Sequence, residues 1–109
     1  MSFSYNHITI VGRNTKDLNL QKVGESSKLK IDLAVDRPYR KEDGTCETDF
    51  IPCIIWGKLA EIAEKYIRKG SPCLIEGRLQ IKTWGEGDAK KWFTEVLVEN
   101  FQILENKPS

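Results

Sequence analysis

The sequence carries little with which to do chemistry. It holds one histidine, His7, and three cysteines, Cys46, Cys53 and Cys73, at wide spacings with no CxxC pair. A structural zinc site takes four nitrogen or sulfur ligands, and these scattered side chains are all the chain has to offer. Free thiols, buried or half-buried in a reducing cytosol, are therefore expected, with no metal and no cofactor. No GxSxG, P-loop, HExxH or paired-carboxylate pattern is present, and a cysteine nucleophile would need His7 as its base without any local motif to support it. The chain reads as a protein that is not an enzyme.

Neither sign of charge is in excess: 17 Lys and Arg against 16 Asp and Glu leave a net charge of +1. That excludes a strongly basic tail, so a polyanion site would have to arise from how charge is divided between faces. No uncharged run approaches the roughly 20 residues that span a bilayer, and Met1 opens no basic-then-apolar leader. A soluble, intracellular chain is expected. At 109 residues, 39% apolar and 30% charged, it has the size and composition of one globular domain with a single core.

What is present is mostly strand. Residues 6–11, NHITIV, alternate and are rich in β-branched side chains, and Leu18 and Leu20 resume an extended segment after a polar bend. A Gly24–Ser27 turn leads to KLKIDLAV, in which Leu29, Ile31, Leu33 and Val35 face one way and Lys28, Lys30, Asp32 and Ala34 the other. Residues 37–48, with Pro38 and Asp43-Gly44, read as a flexible charged hairpin loop. DFIPCIIWGK, residues 49–58, is a third strand. Leu59, Ile62, Ala63, Tyr66 and Ile67 then recur at helical spacing, with Glu61 and Glu64 early, Lys65, Arg68 and Lys69 late, and Gly70 as a C-terminal cap. A fourth strand runs from Cys73 to Trp84, a Gly85–Asp88 tip turns the chain, and a fifth strand runs from about Lys90 to Leu104.

This order, β-β-β-α-β-β, fits a mainly all-β fold: a five-stranded barrel of the OB type with one helix between strands 3 and 4, which hides its edges by closing. The Leu59/Ile62/Tyr66 face of the helix would plug one end. An open α+β sheet is the alternative. Residues 1–104 form the expected domain, and Glu105–Ser109 a short loose end.

Several aromatics sit where a core role is not assured. Trp84 ends a strand face that also carries Arg78 and Lys82, beside a glycine-rich tip. It could pack under its own hairpin, or serve as a base-stacking platform with the cations along a backbone track. Tyr39 lies between Pro38 and Arg40-Lys41. Phe50, Pro52, Ile54 and Trp56 share strand parity, but both faces of that strand are apolar, which favours burial on both sides. Pro52 prefers an edge or a bulge, and a bulge would shift parity, so periodicity alone does not orient Trp56.

Taken in order, the segments resemble one family, the bacterial single-stranded DNA-binding proteins. WGKLAEIAEKYIRKGSPCLIEGRLQIKTW resembles that family's helix-strand segment, NHITIVGR its opening strand, KLKIDLAV its second strand and FTEVLVENFQIL its last; the likeness spans residues 6–104. The resemblance implies an OB barrel, a homotetramer, that wraps single-stranded DNA by aromatic stacking, with no membrane partner and a cytoplasmic, nucleoid-associated setting of bacterial, plasmid or phage origin. The stacking positions fall on Tyr39, Phe50, Trp56 and Trp84. Phosphate-contacting lysines match Lys58 and Lys69, further basic positions match Arg40, Arg68 and Lys82, and Arg78 is added from its strand face. Tyr66 matches a tyrosine that is structural in the helix. The third strand departs from the pattern: Pro52 stands where a basic residue is common and Ile51 where a polar one is. The family also continues to an acidic tip that recruits replication and repair enzymes, whereas this sequence ends at ENKPS, so such recruitment is not expected. An OB-fold primosome or RNA-binding module, or a structural interaction domain with no nucleic acid, are the other readings.

Overall fold

The computed structural model describes residues 3–104. Six strands and one helix follow one another as β1 (Ile8–Asn14), β2 (Gln21–Val23), β3 (Ser26–Arg40), β4 (Cys46–Trp56), α1 (Lys58–Tyr66), β5 (Pro72–Trp84) and β6 (Lys91–Ile103). The five expected strands are present. The segment after Leu20 adds a sixth, three residues long, paired to the start of β3.

The sheet order β1-β5-β6-β4-β3-β2 is closed by a further pairing of β1 with β3, Arg13 opposite Ala34 and Asn14 opposite Leu33. That closure rules out the open α+β sheet. β1–β5, β5–β6 and β3–β4 are antiparallel, while β4 and β6 run parallel and pair only at Cys53–Val96 and Ile54–Leu97. Alternate residues fill the interior: Leu29, Ile31 and Leu33 from β3, Cys53 and Ile55 from β4, Cys73 and Ile75 from β5, and Val96 and Val98 from β6.

Gly77 permits the turn of β5 away from the barrel. A Cβ there would stand 2.0 Å from the Leu97 carbonyl oxygen, and the β5–β6 register shifts between Glu76 and Gly77. Past this bulge, and beyond the brief β4 contact at Val96 and Leu97, the two strands run on as a hairpin that pairs with no other strand among the described residues.

The helix differs from expectation. Ala60, Ala63 and Ile67 are buried with Leu59 packed partly against the core, whereas Ile62 and Tyr66 are exposed, Tyr66 at 56%. The Leu59/Ile62/Tyr66 face is thus not the plug, and Tyr66 has no core role among the described residues. Small alanines let the helix lie close to the barrel end, which turns its larger residues outward. The helix also stops earlier: Ile67 is extended and its N–H reaches the Ala63 carbonyl. Gly70, with φ 90°, donates instead to the carbonyl of Asn14, so it closes a turn after the helix rather than capping it. The expected 37–48 loop is mostly strand, because β3 and β4 continue to Arg40 and from Cys46.

Buried Asn14 ties these parts together. Its Nδ2 donates to the carbonyls of Lys16 and Arg68, and its Oδ1 accepts from the N–H groups of Lys16 and Asp32. One side chain thereby links the end of β1, the turn after α1 and β3.

Candidate nucleic-acid interface

The register decides which way the aromatics of β4 point. From Lys28–Trp56 to Asp36–Thr48 the β3–β4 ladder is unbroken, so Pro52 introduces no bulge. Pro52 sits just past the two residues at which β4 pairs with β6, where its missing N–H leaves no ladder bond unmade on that side. With Ile31, Cys53 and Ile55 inside, Phe50, Pro52, Ile54 and Trp56 lie on the outer face, opposite Ala34, Asp32, Lys30 and Lys28.

Ile54 shows how both readings of β4, buried and outward-facing, hold at different residues. It is only 2% exposed yet stands apart from the core cluster, while Phe50 on the same face is 62% exposed. The middle of the outer face is covered and its ends are open. The covering neighbour is β6, where Leu97 lies beside Ile54.

Through that pairing the outer face continues across the hairpin. Leu97, Glu95, Phe93 and Lys91 of β6 lie opposite Arg78, Gln80, Lys82 and Trp84 of β5. Direct partners in an antiparallel pair share a face, so Phe50, Trp56, Trp84, Arg78 and Lys82 all belong to one surface of one curved sheet. Phe50, Trp56 and Trp84 are each exposed on it.

Four further residues join them that the sequence pattern does not assign. Phe93 is exposed beside Lys82, Lys28 stands 5.3 Å over the Trp56 ring, and Lys30 and Lys91 extend the positive rim. Counting backward from the buried Val98 and Val96 along β6 would have placed Phe93 and Glu95 on the outer side. The same count puts Trp92 on the opposite face, opposite Thr83, exposed with Lys90 5.8 Å from its ring.

Glu95 is the unexpected member. It is 4% exposed, and its Oε1 lies 2.9 Å from Lys82 Nζ. The exposed Lys82 ammonium is thereby paired with a buried protein carboxylate. Where β4 and β6 part, Glu95 lines a small groove of about 90 Å³ with Lys16, Lys30, Pro52, Ile54 and Phe93.

The remaining expected residues lie off this surface. Lys58 begins α1 two residues after Trp56, and Gly57 between them, with φ 72°, makes the sharp exit from β4. Arg68 and Lys69 stand on the turn after the helix, beside Asp17, Leu18 and Glu64. Tyr39 is exposed beyond a register shift in β3, so the ladder does not set its face; Arg40 donates to the Gly44 carbonyl of its own hairpin. That hairpin is braced by Arg37, which meets Asp49 through two nitrogens at 3.0 and 3.2 Å and also pairs with Glu47. The Arg37 hydrogen bond to Asp49 holds the Asp49 carboxyl below its usual value, and the same contact raises Arg37 further.

The surface combines flat rings, of a kind on which bases of any sequence can stack, with flexible cations of a kind that can meet phosphate. Comparison with known proteins agrees. The model of the single-strand binding protein family matches residues 5–104. A single-stranded DNA-binding protein of Helicobacter hepaticus is 39% identical over 96% of this chain, which covers 64% of that relative. Single-stranded DNA-binding protein 1 of Clostridium acetobutylicum is 37% identical over 94% of this chain and is covered over 96% of its length. Among solved structures, a Plasmodium falciparum SSB in complex with ssDNA has the same fold, with a TM-score of 0.83 over 96% of this chain and 99% of that one at 21% identity.

Proposed function

The chain belongs to the single-strand binding protein family, and on that premise we propose that its outer sheet face binds single-stranded DNA with little sequence preference. The protein is a binding protein and not an enzyme. Bases stack on Phe50, Trp56, Trp84 and Phe93, with Tyr39 as an outlying platform, each contact contributing about 1–3 kcal/mol. Lys28, Lys30, Lys58, Lys91 and Arg78 neutralise phosphates, and counterion release makes affinity fall as salt rises. Lys69, Arg68 and Arg40 extend the track toward the helix end and the β3–β4 hairpin. The net charge of +1 is compatible with this, because only one face has to be basic.

The observation that carries the reading is the register. It supports the reading for Phe50, Trp56, Trp84, Phe93, Lys28, Lys30, Lys91 and Arg78, which share the outer face of β3, β4, β6 and β5. In a cell the activity would shield single strands during replication, repair or recombination, in the cytoplasm at the nucleoid. Among the described residues no helix is long and apolar enough to cross a membrane. The binding domain is taken as residues 1–104, of which residues 1 and 2, like residues 105–109, lie outside the described residues. Assembly as a homotetramer is part of the proposal, supported by the outer edge of β1, which from Ile8 to Gly12 pairs only with β5 among the described residues.

Intrinsic tryptophan fluorescence tests the reading. Oligo(dT) should quench it strongly and duplex DNA of equal length far less. A Trp56→Ala/Trp84→Ala protein that bound oligo(dT) as tightly as wild type would sink the stacking assignment.

A further inference from the structure

A carboxylate is the wrong group for a surface that meets a polyanion, and Glu95 stands in the middle of one. Its partner Lys82, 2.9 Å away, removes the net charge but not the chemistry. An ionised carboxylate accepts hydrogen bonds and cannot donate, and an ammonium only donates. Glu95, which lines the groove between β4 and β6, therefore offers an acceptor with the donor Lys82 beside it.

Single-stranded DNA has few groups that suit this. Phosphates bring more negative charge and no donor, and deoxyribose within a chain has no hydroxyl. Only base edges carry N–H donors, and each base places a donor next to an acceptor on the edge it uses for pairing. The groove walls suit a flat ring as well. Pro52 of β4 and Phe93 of β6 both line it, and so do Lys16 and Lys30, cations that can meet a phosphate. Its volume of about 90 Å³ suits part of one base and is well below the about 300 Å³ at which drug-sized pockets begin.

We propose that the Glu95–Lys82 pair reads the unpaired hydrogen-bonding edge of one base held between Phe93 and Pro52. The inference rests on the outer face being a single-stranded DNA surface and adds to it a way of refusing duplex. In a paired strand those edges are already occupied, so the subsite is satisfied only by a base free of its complement. Because every base has a donor–acceptor edge, the contact costs no sequence tolerance.

The test compares three strands of equal length on the intact protein at one salt concentration: oligo(dT), oligo(dU), which keeps the pairing edge, and oligo(N3-methyl-dT), which keeps the ring but loses the N–H. Oligo(dU) is expected to bind within a few-fold of oligo(dT), and the methylated strand about tenfold more weakly, as for loss of a hydrogen bond to a charged group. In Glu95→Leu the penalty for methylation should disappear, whatever happens to affinity overall. If that variant fails to fold by circular dichroism, Phe93→Leu, at an exposed wall of the groove, should shrink the penalty instead. Equal binding of oligo(dT) and its methylated form by the wild type overturns the proposal, as does a penalty unchanged in a folded variant. If none of the strands binds, the parent reading of the surface has failed, and this one with it.

Discussion

The ammonium of Lys28 stands 5.3 Å from the centroid of the Trp56 ring, and the two residues face each other directly across β3 and β4. A cation over a ring at this distance orients both side chains, so the pair presents a stacking surface already flanked by positive charge.

Truncating each partner should therefore give different signatures. Trp56→Ala is expected to cost about 1–3 kcal/mol of oligo(dT) affinity. Lys28→Ala should cost less and lower the slope of log affinity against log salt by about one. Titrations at several salt concentrations separate the two. A Lys28→Ala protein with an unchanged salt slope would show that Lys28 meets no phosphate.

Gly77 is fixed by backbone and not by turn chemistry. A methyl group there would fall 2.0 Å from the Leu97 oxygen and 3.1 Å from the Val98 Cα, neither of which can move alone. Gly77→Ala should destabilise the fold by about 3 kcal/mol or more, read as a drop in the denaturant midpoint. Gly44→Ala meets no neighbouring atom within 4 Å and bears only the strain of its φ of 87°; it is the milder control.

Asn14→Ala removes four hydrogen bonds from one buried side chain and is expected to cost about 2–4 kcal/mol. Asn14→Asp should not rescue it. The carboxylate would aim an acceptor at the carbonyls of Lys16 and Arg68, which need a donor. Equal stability of wild type and Asn14→Asp in urea would contradict this account of the clamp.

Burial pushes the Cys53 thiol up to about 12 and the Cys73 thiol to about 11 from an ordinary 9.0. Both bind their protons more tightly folded than unfolded, so stability is fully present below pH 9.0 and falls as pH rises toward about 11 to 12. A thiol reagent at pH 8 should label half-exposed Cys46 in the native protein, and Cys53 and Cys73 only on unfolding. Labelling of all three at equal rates without denaturant would contradict the burial argument.

The alternation of Leu29, Ile31 and Leu33, the run of β5 and the existence of α1 were legible from period alone, because each pattern is local. The helix face was not. Leu59, Ile62 and Tyr66 have the right spacing for a core, but a barrel end approached closely takes Ala60 and Ala63, and the larger residues turn outward. Phe93 was missed for a related reason. It follows Trp92 in a strand whose parity is fixed only by Val96 and Val98, deep in the barrel.

The sequence by itself determined the order of elements, the family likeness and the inventory of rings and cations. It left open whether Phe50 and Trp56 are core or surface, since a strand apolar on both faces carries no sign of which side is out. Tertiary structure decided that, through the unbroken β3–β4 register across Pro52 and the brief parallel contact with β6. Hydrogen bonding between distant strands sets parity, and parity sets which rings share a face. It also set Glu95 beside Lys82, an ion pair across a hairpin that no local pattern announces.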